Sequence, residues 1–542
     1  MTAAAAPSLD PVRLEVQWDR LSAATDEAAY AMLRSAFSTI IRESNDYTVV
    51  VMDRRGRTMA ETRAGIPAFA GLVGSLTRLL LERMPAGTWR DGDCVITNDP
   101  WIATGHLPDV SMIAPLFHRG RLVGFTGSAA HLPDIGGTGG LSTDLIGEGV
   151  LIPPLHLYRA GEVQSGVKDL LLANVRMPDQ VWGDLQAQAT AHAVCRRRAL
   201  EFLEEFGEPD FERFAAAVHT LTDDAMRAAV RAIPDGRYTS TVDADGLPGR
   251  PTHIACAVTV AGDSITIDYT GTSAQVDFPT NCTLNYTRAY SMYPLKLVLD
   301  PATRTNHGSY LAMSLVAPEG TIVNPRFPVP VIARHLTGHL LSCAIYRALA
   351  PVLPDQVIAD SGGAPALRVR FTGQDDDGRP WALMLFANAG MGASAHTDGL
   401  STTAFPTNSG TGSIEAMEAA APLRIVRKGL RRDSGGPGMY RGGLGQVVEV
   451  ANPTSRPVQV GLLGDRQTQA ARGVLGGGDG ATASAVLGSG EIVPLKTVTT
   501  LPPGESITIS FPGGGGYGDP ALRDPAAHAH DVAMGYVSGV SR

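Results

Sequence analysis

No apolar run in the chain approaches the roughly 18 residues needed to cross a bilayer, and its formal charge of −9 is spread without a long basic tract. The first absence argues against a helical membrane span. The second argues against a nucleic-acid partner, because phosphate backbones are bound by clustered Lys and Arg. The single basic triplet, Arg196-Arg197-Arg198, sits on a predicted helix and is expected to be solvated. Cysteine is scarce and scattered. Cys94, Cys195, Cys256, Cys282 and Cys343 form no CxxC pair and read as reduced, mostly buried thiols of a cytoplasmic protein. The opening residues lack the basic start and apolar core of a secretory signal, which points the same way. No GxSxG elbow, Walker sequence or cysteine-nucleophile signature is present, so neither a serine hydrolase nor a kinase is expected.

Glycine and proline are abundant. The 542 residues include 61 Gly and 37 Pro, above ordinary usage, so many tight turns and long ordered loops are expected. A chain of this length implies two to four domains. Residues 1–235 mix predicted helices (25–43, 71–84, 179–206, 211–233) with β-branched strands such as YTVVVMD. From Arg237 polar and apolar residues alternate around Gly-rich turns, the pattern of an antiparallel sheet, with helical spacing at 284–298 and 329–350. From 424 onward short strands (QVVEVAN, PVQVGLLG, SITISFP) alternate with glycine clusters. The expected fold is a multidomain α+β protein. It has a mixed N-terminal domain (1–235), a central α+β domain with an antiparallel sheet (236–423) and a β-rich C-terminal domain (424–542).

The densest chemistry lies between Asn98 and Gly137. There the tetrapeptide His-Leu-Pro-Asp occurs twice, at His106 to Asp109 and at His131 to Asp134. Proline at its third position argues against a helix interior. The segment between the copies reads as two strands around a Gly-containing turn. Such a hairpin brings both His/Asp pairs together, and two imidazoles with two carboxylates suit a divalent cation of mixed nitrogen and oxygen preference. Asp46 lies at a predicted helix-to-strand corner, where a carboxylate either points into a cleft or forms an Asx turn. Asp184, Gln188 and His192 share one face of the 179–206 helix and are expected to be exposed or at an interface. The loops GGGGYGD and DSGGPGMYRGGLG, the latter with Arg441, could cradle an anion through backbone N–H groups. Lacking a following Lys-Ser/Thr, they read as structural turns.

Taken together, these motifs resemble the hydantoinase B/oxoprolinase family. NDPWIATGHLPDVS and GSAAHLPDIGG carry the resemblance most strongly, followed by RESNDYTVVVMDRRGRTMAE, YSMYPLKLVLDP, APEGTIVNPRFPVPVIARH and RRDSGGPGMYRGGLG, in family order along nearly the whole chain. The family comprises B subunits of ATP-dependent hydantoinases, the C-terminal half of 5-oxoprolinase, and related subunits of acetone and acetophenone carboxylases. The resemblance implies a divalent metal (Zn, Mn or Fe) on this chain, held by His106, Asp109 and His131 with Asp46 as the fourth ligand. Asp134 would orient an imidazole or accept a proton, standing with His131 nearest the chemistry. ATP is implied on an A-type (HyuA-like) partner subunit rather than here, in a hetero-oligomer such as a heterotetramer. The departure at His131-Leu132-Pro133-Asp134, where the family's second motif usually carries polar or aromatic residues before the aspartate, bears on substrate choice and removes no ligand.

The implied activity is ATP-dependent hydrolysis of a small cyclic amide phosphorylated by the partner. Two other readings remain open from sequence: a subunit of an ATP-dependent ketone carboxylase, and a non-catalytic, metal-stabilised scaffold.

Overall fold

The computed structural model describes residues 10–138, 141–247, 249–363 and 367–539. Helix α1 (Pro11–Ser35) opens the chain. Asp10 caps it, its carboxylate accepting from the Arg13 N–H (3.2 Å), and proline occupies the first turn, where its missing donor costs nothing. The helix expected to begin near Thr25 therefore begins fourteen residues earlier than that, and Thr25 lies buried inside it. The chain breaks at Ala36, and α2 (Thr39–Ser44), capped by Ser38, ends at left-handed Asn45.

Next comes a seven-stranded antiparallel sheet in the order β2-β1-β5-β4-β3-β6-β7. Its strands are β1 (Tyr47–Asp53), β2 (Thr58–Glu61), β3 (Cys94–Thr97), β4 (Asp109–His118), β5 (Arg121–His131), β6 (Leu155–Arg159) and β7 (Glu162–Val163). Every residue of β1 is buried, because both faces of the sheet are covered. Val50 and Met52 face α3 (Pro67–Arg83), while Val49 and Val51 face α1 together with α5 (Pro178–Phe206) and α6 (Glu212–Arg231). This is the period-2 alternation of a strand, with apolar residues on both sides. The short α4 (Ser165–Leu172) precedes α5. Helix α3 packs so closely that a Cβ on Gly127 would lie 2.4 Å from Val73 Cγ1.

A four-stranded sheet follows, β11-β10-β9-β8, built from β8 (Gly236–Leu247), β9 (Arg250–Ala261), β10 (Ser264–Asp268) and β11 (Met313–Val316). Helices α7 (Leu284–Leu299) and α8 (His335–Leu349) join it to the core under α3. Residues 329–334, expected to be helical, form the approach to α8 instead.

Two further antiparallel sheets share one core. One pairs the strands Leu367–Gln374 and Pro380–Leu385 with Val458–Gly464 and Lys496–Leu501, and the other holds Arg424–Leu430, Gln446–Ala451, Ser506–Ser510, Ser484–Leu487 and Ile492–Val493. Leu367–Gln374 pairs directly with Val458–Gly464. The division expected at residue 424 therefore does not separate sheets, and the C-terminal β layers take in residues 367–385 as well. Among the described residues no helix is long and apolar enough to cross a membrane. All five cysteines are free and buried, as expected.

The glycine loops pack backbone to backbone. Gly514 N–H donates to the Gly443 carbonyl, Gly436 N–H to that of Gly514 and Gly516 N–H to that of Gly478, each at 2.9 Å. The loop Arg441 is buried and paired with Asp531 (3.1 Å). A Cβ on Gly514 would sit 2.1 Å from the Met391 carbonyl oxygen. Gly514→Ala is expected to lower stability by about 3 kcal/mol, read as a lower urea midpoint; an unchanged midpoint would show that these layers can separate.

Candidate metal centre

In the β4–β5 ladder Asp109 is the register partner of His131. The two HLPD copies thus meet at one end of the hairpin, as their spacing predicts. The His131 N–H donates to the Asp46 carbonyl (3.0 Å), which brings the α2–β1 corner alongside. The loop before His106 is fixed by fully buried Asn98. Its Nδ2 donates to the Leu107 and Val150 carbonyls (2.8 and 2.9 Å), and its Oδ1 accepts from the Ile152 N–H (2.6 Å).

His106, Asp109 and His131 are buried, and each offers a ligand atom within 4.8 Å of the other two. His106 Nε2 lies 2.7 Å and His131 Nδ1 2.8 Å from the same oxygen, Asp109 Oδ1. His106 Nδ1 lies 2.8 Å from the Ile332 carbonyl, which can only accept, so the ring proton is on Nδ1 and the Nε2 lone pair is free. Despite its short distance to Asp109, Nε2 has no hydrogen-bond partner among the described residues. Two acceptor atoms held this close without bonding each other fit a cation shared between them. The donor set, two imidazoles and a carboxylate, fits the metals expected from sequence.

Arg334 holds the other carboxylate oxygen. Its Nη2 lies 2.6 Å from Asp109 Oδ2, its Nε donates to the Thr104 carbonyl (2.7 Å), and its guanidinium rests 4.1 Å from the Tyr286 ring centre. Tyr286 in turn stacks on Tyr290 at 4.2 Å. This approach requires Gly105 (φ 93°), where a Cβ would lie 2.8 Å from Arg334 Cδ. Burial pushes the Asp109 carboxyl up, but His106 and Arg334 outweigh it and hold the group well below the usual carboxylate range. Burial, reinforced by Arg334, pushes His106 down to about 3, so the imidazole is neutral at ordinary pH. Asp46 stands outside the tight trio, its Oδ2 3.7 Å from His131 Nδ1, and burial pushes its carboxyl up to about 6. A nearby cation would reverse that shift. The cavity between these groups measures about 60 Å³ and is also lined by His335, whose buried Nε2 has no hydrogen-bond partner among the described residues.

Asp134 departs from expectation. Its Oδ1 accepts from Arg176 Nη1 (2.8 Å) and the Gly136 N–H (3.3 Å), its Oδ2 from the Arg176 backbone N–H, and Arg370 lies 3.7 Å away. It receives no bond from either imidazole, so neither role expected of it fits. His131 is the last residue of β5; the pairing that places it does not act on Asp134, three residues beyond. Asp184, Gln188 and His192 are buried rather than exposed. They tie α5 to its neighbours: Asp184 accepts from the Phe37 N–H (2.7 Å), Gln188 from Ser128 Oγ (2.9 Å), and His192 bonds to Thr126 and Ser128. Arg334, Tyr286 and His335 were missed from sequence because nothing local links them to the hairpin; the conformational demand at Gly105 was the nearest signal.

Arg334→Met strands a buried carboxylate oxygen. It is expected to cost about 3 kcal/mol of stability and to weaken divalent-metal affinity roughly 10–100-fold, measured by urea unfolding and by competition with a chelator. Wild-type values for both would show that Arg334 does not support Asp109.

The family model described as Hydantoinase B/oxoprolinase matches residues 10–520. The caprolactamase subunit beta of Pseudomonas jessenii is 28% identical over 563 residues, covering 98% of this chain and 94% of that one. The crystal structure of the ATP-dependent caprolactamase from the same organism superposes with a TM-score of 0.89 at 27% identity, covering 98% and 95%. A nucleotide-free acetone carboxylase structure superposes with a TM-score of 0.87 at 20% identity, covering 98% and 78%, which shows a shared fold.

Proposed function

Because the chain belongs to the hydantoinase B/oxoprolinase family, we propose that it is the metal-bearing B-type subunit of an ATP-dependent hydrolase acting on a small cyclic amide: a hydantoin, 5-oxoproline or a lactam. The observation that carries this reading is the convergence of His106, Asp109 and His131 ligand atoms within 4.8 Å, with the His106 Nε2 lone pair unclaimed. Zn, Mn and Fe all suit that donor set, with Asp46 as the fourth ligand. Such a cation, when bound, supplies Lewis-acid polarisation and a nucleophilic water near neutral pH.

The chain's own residues set the conditions. His106 stays neutral and aimed because the Ile332 carbonyl takes its Nδ1 proton. Asp109 stays ionised because the Arg334 guanidinium pairs with it. Tyr286 and Phe69 give the cavity an aromatic lining, and His335 lines it as well. The obstacle to ring opening is amide resonance. Phosphorylation of the carbonyl oxygen by ATP on an A-type (HyuA-like) partner weakens that resonance; water then adds at the carbon, the C–N bond breaks with a proton passing to the leaving nitrogen, and a second water releases inorganic phosphate from the acyl phosphate so formed. The name "subunit beta" carried by the Pseudomonas jessenii relative supports such a partner, in a hetero-oligomer such as a heterotetramer. The caprolactamase likeness, at higher identity and fuller coverage than the acetone carboxylase likeness, favours hydrolysis over carboxylation.

Co-purification with the A-type subunit, elemental analysis, and ATP turnover against a panel of cyclic amides test the reading. His106→Ala is expected to lose its metal and at least about 100-fold in turnover. Full ring opening by that variant, or ATP-dependent uptake of labelled bicarbonate in place of ring opening, would overturn it.

A further inference from the structure

A second cavity, of about 240 Å³, lies on the far side of the α3–α7 helix pair from the metal centre. Ile66, Phe69, Tyr286 and Tyr290 face the first cavity, whereas Leu72, Arg78, Arg288 and Met292 face the second. It holds far more than the roughly 10–15 Å³ that one water needs. Glu61 and Tyr310 also line it.

Its lining is divided by chemistry. Arg78 makes side-chain bonds to the Ser75 hydroxyl (3.0 Å) and the Gly56 carbonyl (3.5 Å), and to no carboxylate. Arg288 is exposed, and Glu61 feels the charge of Lys296. Burial pushes the Glu61 carboxyl up to about 8 against that pull, so a cationic group placed against it would draw it back to the ionised form. Leu72, Met292 and Met313 give the same cavity an apolar part of its lining.

Helix α3 is also cut away here. Two glycines interrupt a segment otherwise rich in helix-favouring residues, and each weakens the helix. Gly74 is required by packing, since its Cβ would lie 2.7 Å from Thr58 Oγ1. Gly71 is not. Its Cβ would meet one atom, Tyr310 Cε2, at 3.8 Å, and Gly71 lines the cavity. A glycine that no contact requires, at the wall of a cavity, keeps space for something else.

We propose that this cavity is a second binding site, for a small amino-carboxylate: its acid group between Arg78 and Arg288, its short apolar body on Leu72 and Met292, and its amino end toward Glu61 and Tyr310. Paired guanidiniums suit a carboxylate, and the apolar part of the lining suits a chain of a few methylenes. The proposal does not depend on the metal centre.

Calorimetric titration of the purified full-length chain with 6-aminohexanoate tests it, with hexanoate and inorganic phosphate as comparisons. 6-Aminohexanoate is expected to bind, and hexanoate about tenfold more weakly. Arg78→Met and Gly71→Leu are each expected to weaken 6-aminohexanoate at least about tenfold. Gly71→Ala is expected to raise Tm, which verifies the open space without relying on the larger variants. A chelator is expected to leave binding unchanged. Absence of binding by both carboxylates, binding undiminished in both weakening variants, binding of phosphate alone, or loss of binding with the chelator would each overturn the proposal.

Discussion

The centre of this protein depends on keeping one carboxylate ionised where water cannot reach it. Asp109 is fully buried, and removing such a charge from water costs several kcal/mol. Arg334 at 2.6 Å from one oxygen offsets that cost, and His131 Nδ1 stands 2.8 Å from the other. They also leave Asp109 no freedom to move, so the spacing of the two imidazoles is set by the carboxylate between them. A trio arranged this way is preorganised for a cation before one arrives.

The support for that arrangement comes from segments far apart in the chain. Buried Glu148 accepts from the Val331 and Ile332 N–H groups (2.8 and 2.7 Å), fixing the segment whose carbonyl sets the His106 tautomer. Arg334 arrives from the start of α8 and can close on Asp109 because Gly105 has no side chain. The candidate metal centre therefore draws on more than an N-terminal unit, and Arg368 and Met384 of the C-terminal layers also line its cavity. The α3–α7 pair has one face on the metal cavity and the other on the cavity behind it. Each face carries its own chemistry: aromatic rings and Phe69 on one, guanidiniums and thioether side chains on the other.

Much was legible without coordinates where the physics is local. The Pro in each HLPD copy excluded a helix, alternation marked the flanking strands, and the turn between them brought His106, Asp109 and His131 together. The α+β class with antiparallel sheets, and the glycine loops as packed turns, also followed from short-range pattern. The first helix begins at Pro11 rather than at residue 25 because the Asp10 carboxylate caps it and proline fits its first turn. Asp134 was overvalued because repetition suggested equivalence, although the antiparallel ladder treats the two copies differently: one begins a strand and the other ends one.

Residue order by itself determined that two imidazoles and a carboxylate would meet at one end of a hairpin, since strand period and turn position act over a few residues. Tertiary structure alone decided that Arg334 pairs with Asp109, that Asp134 turns to Arg176, and that a second cavity opens behind α3. Each of those outcomes depends on contacts between segments distant in the chain, whose electrostatics and excluded volume no local pattern encodes.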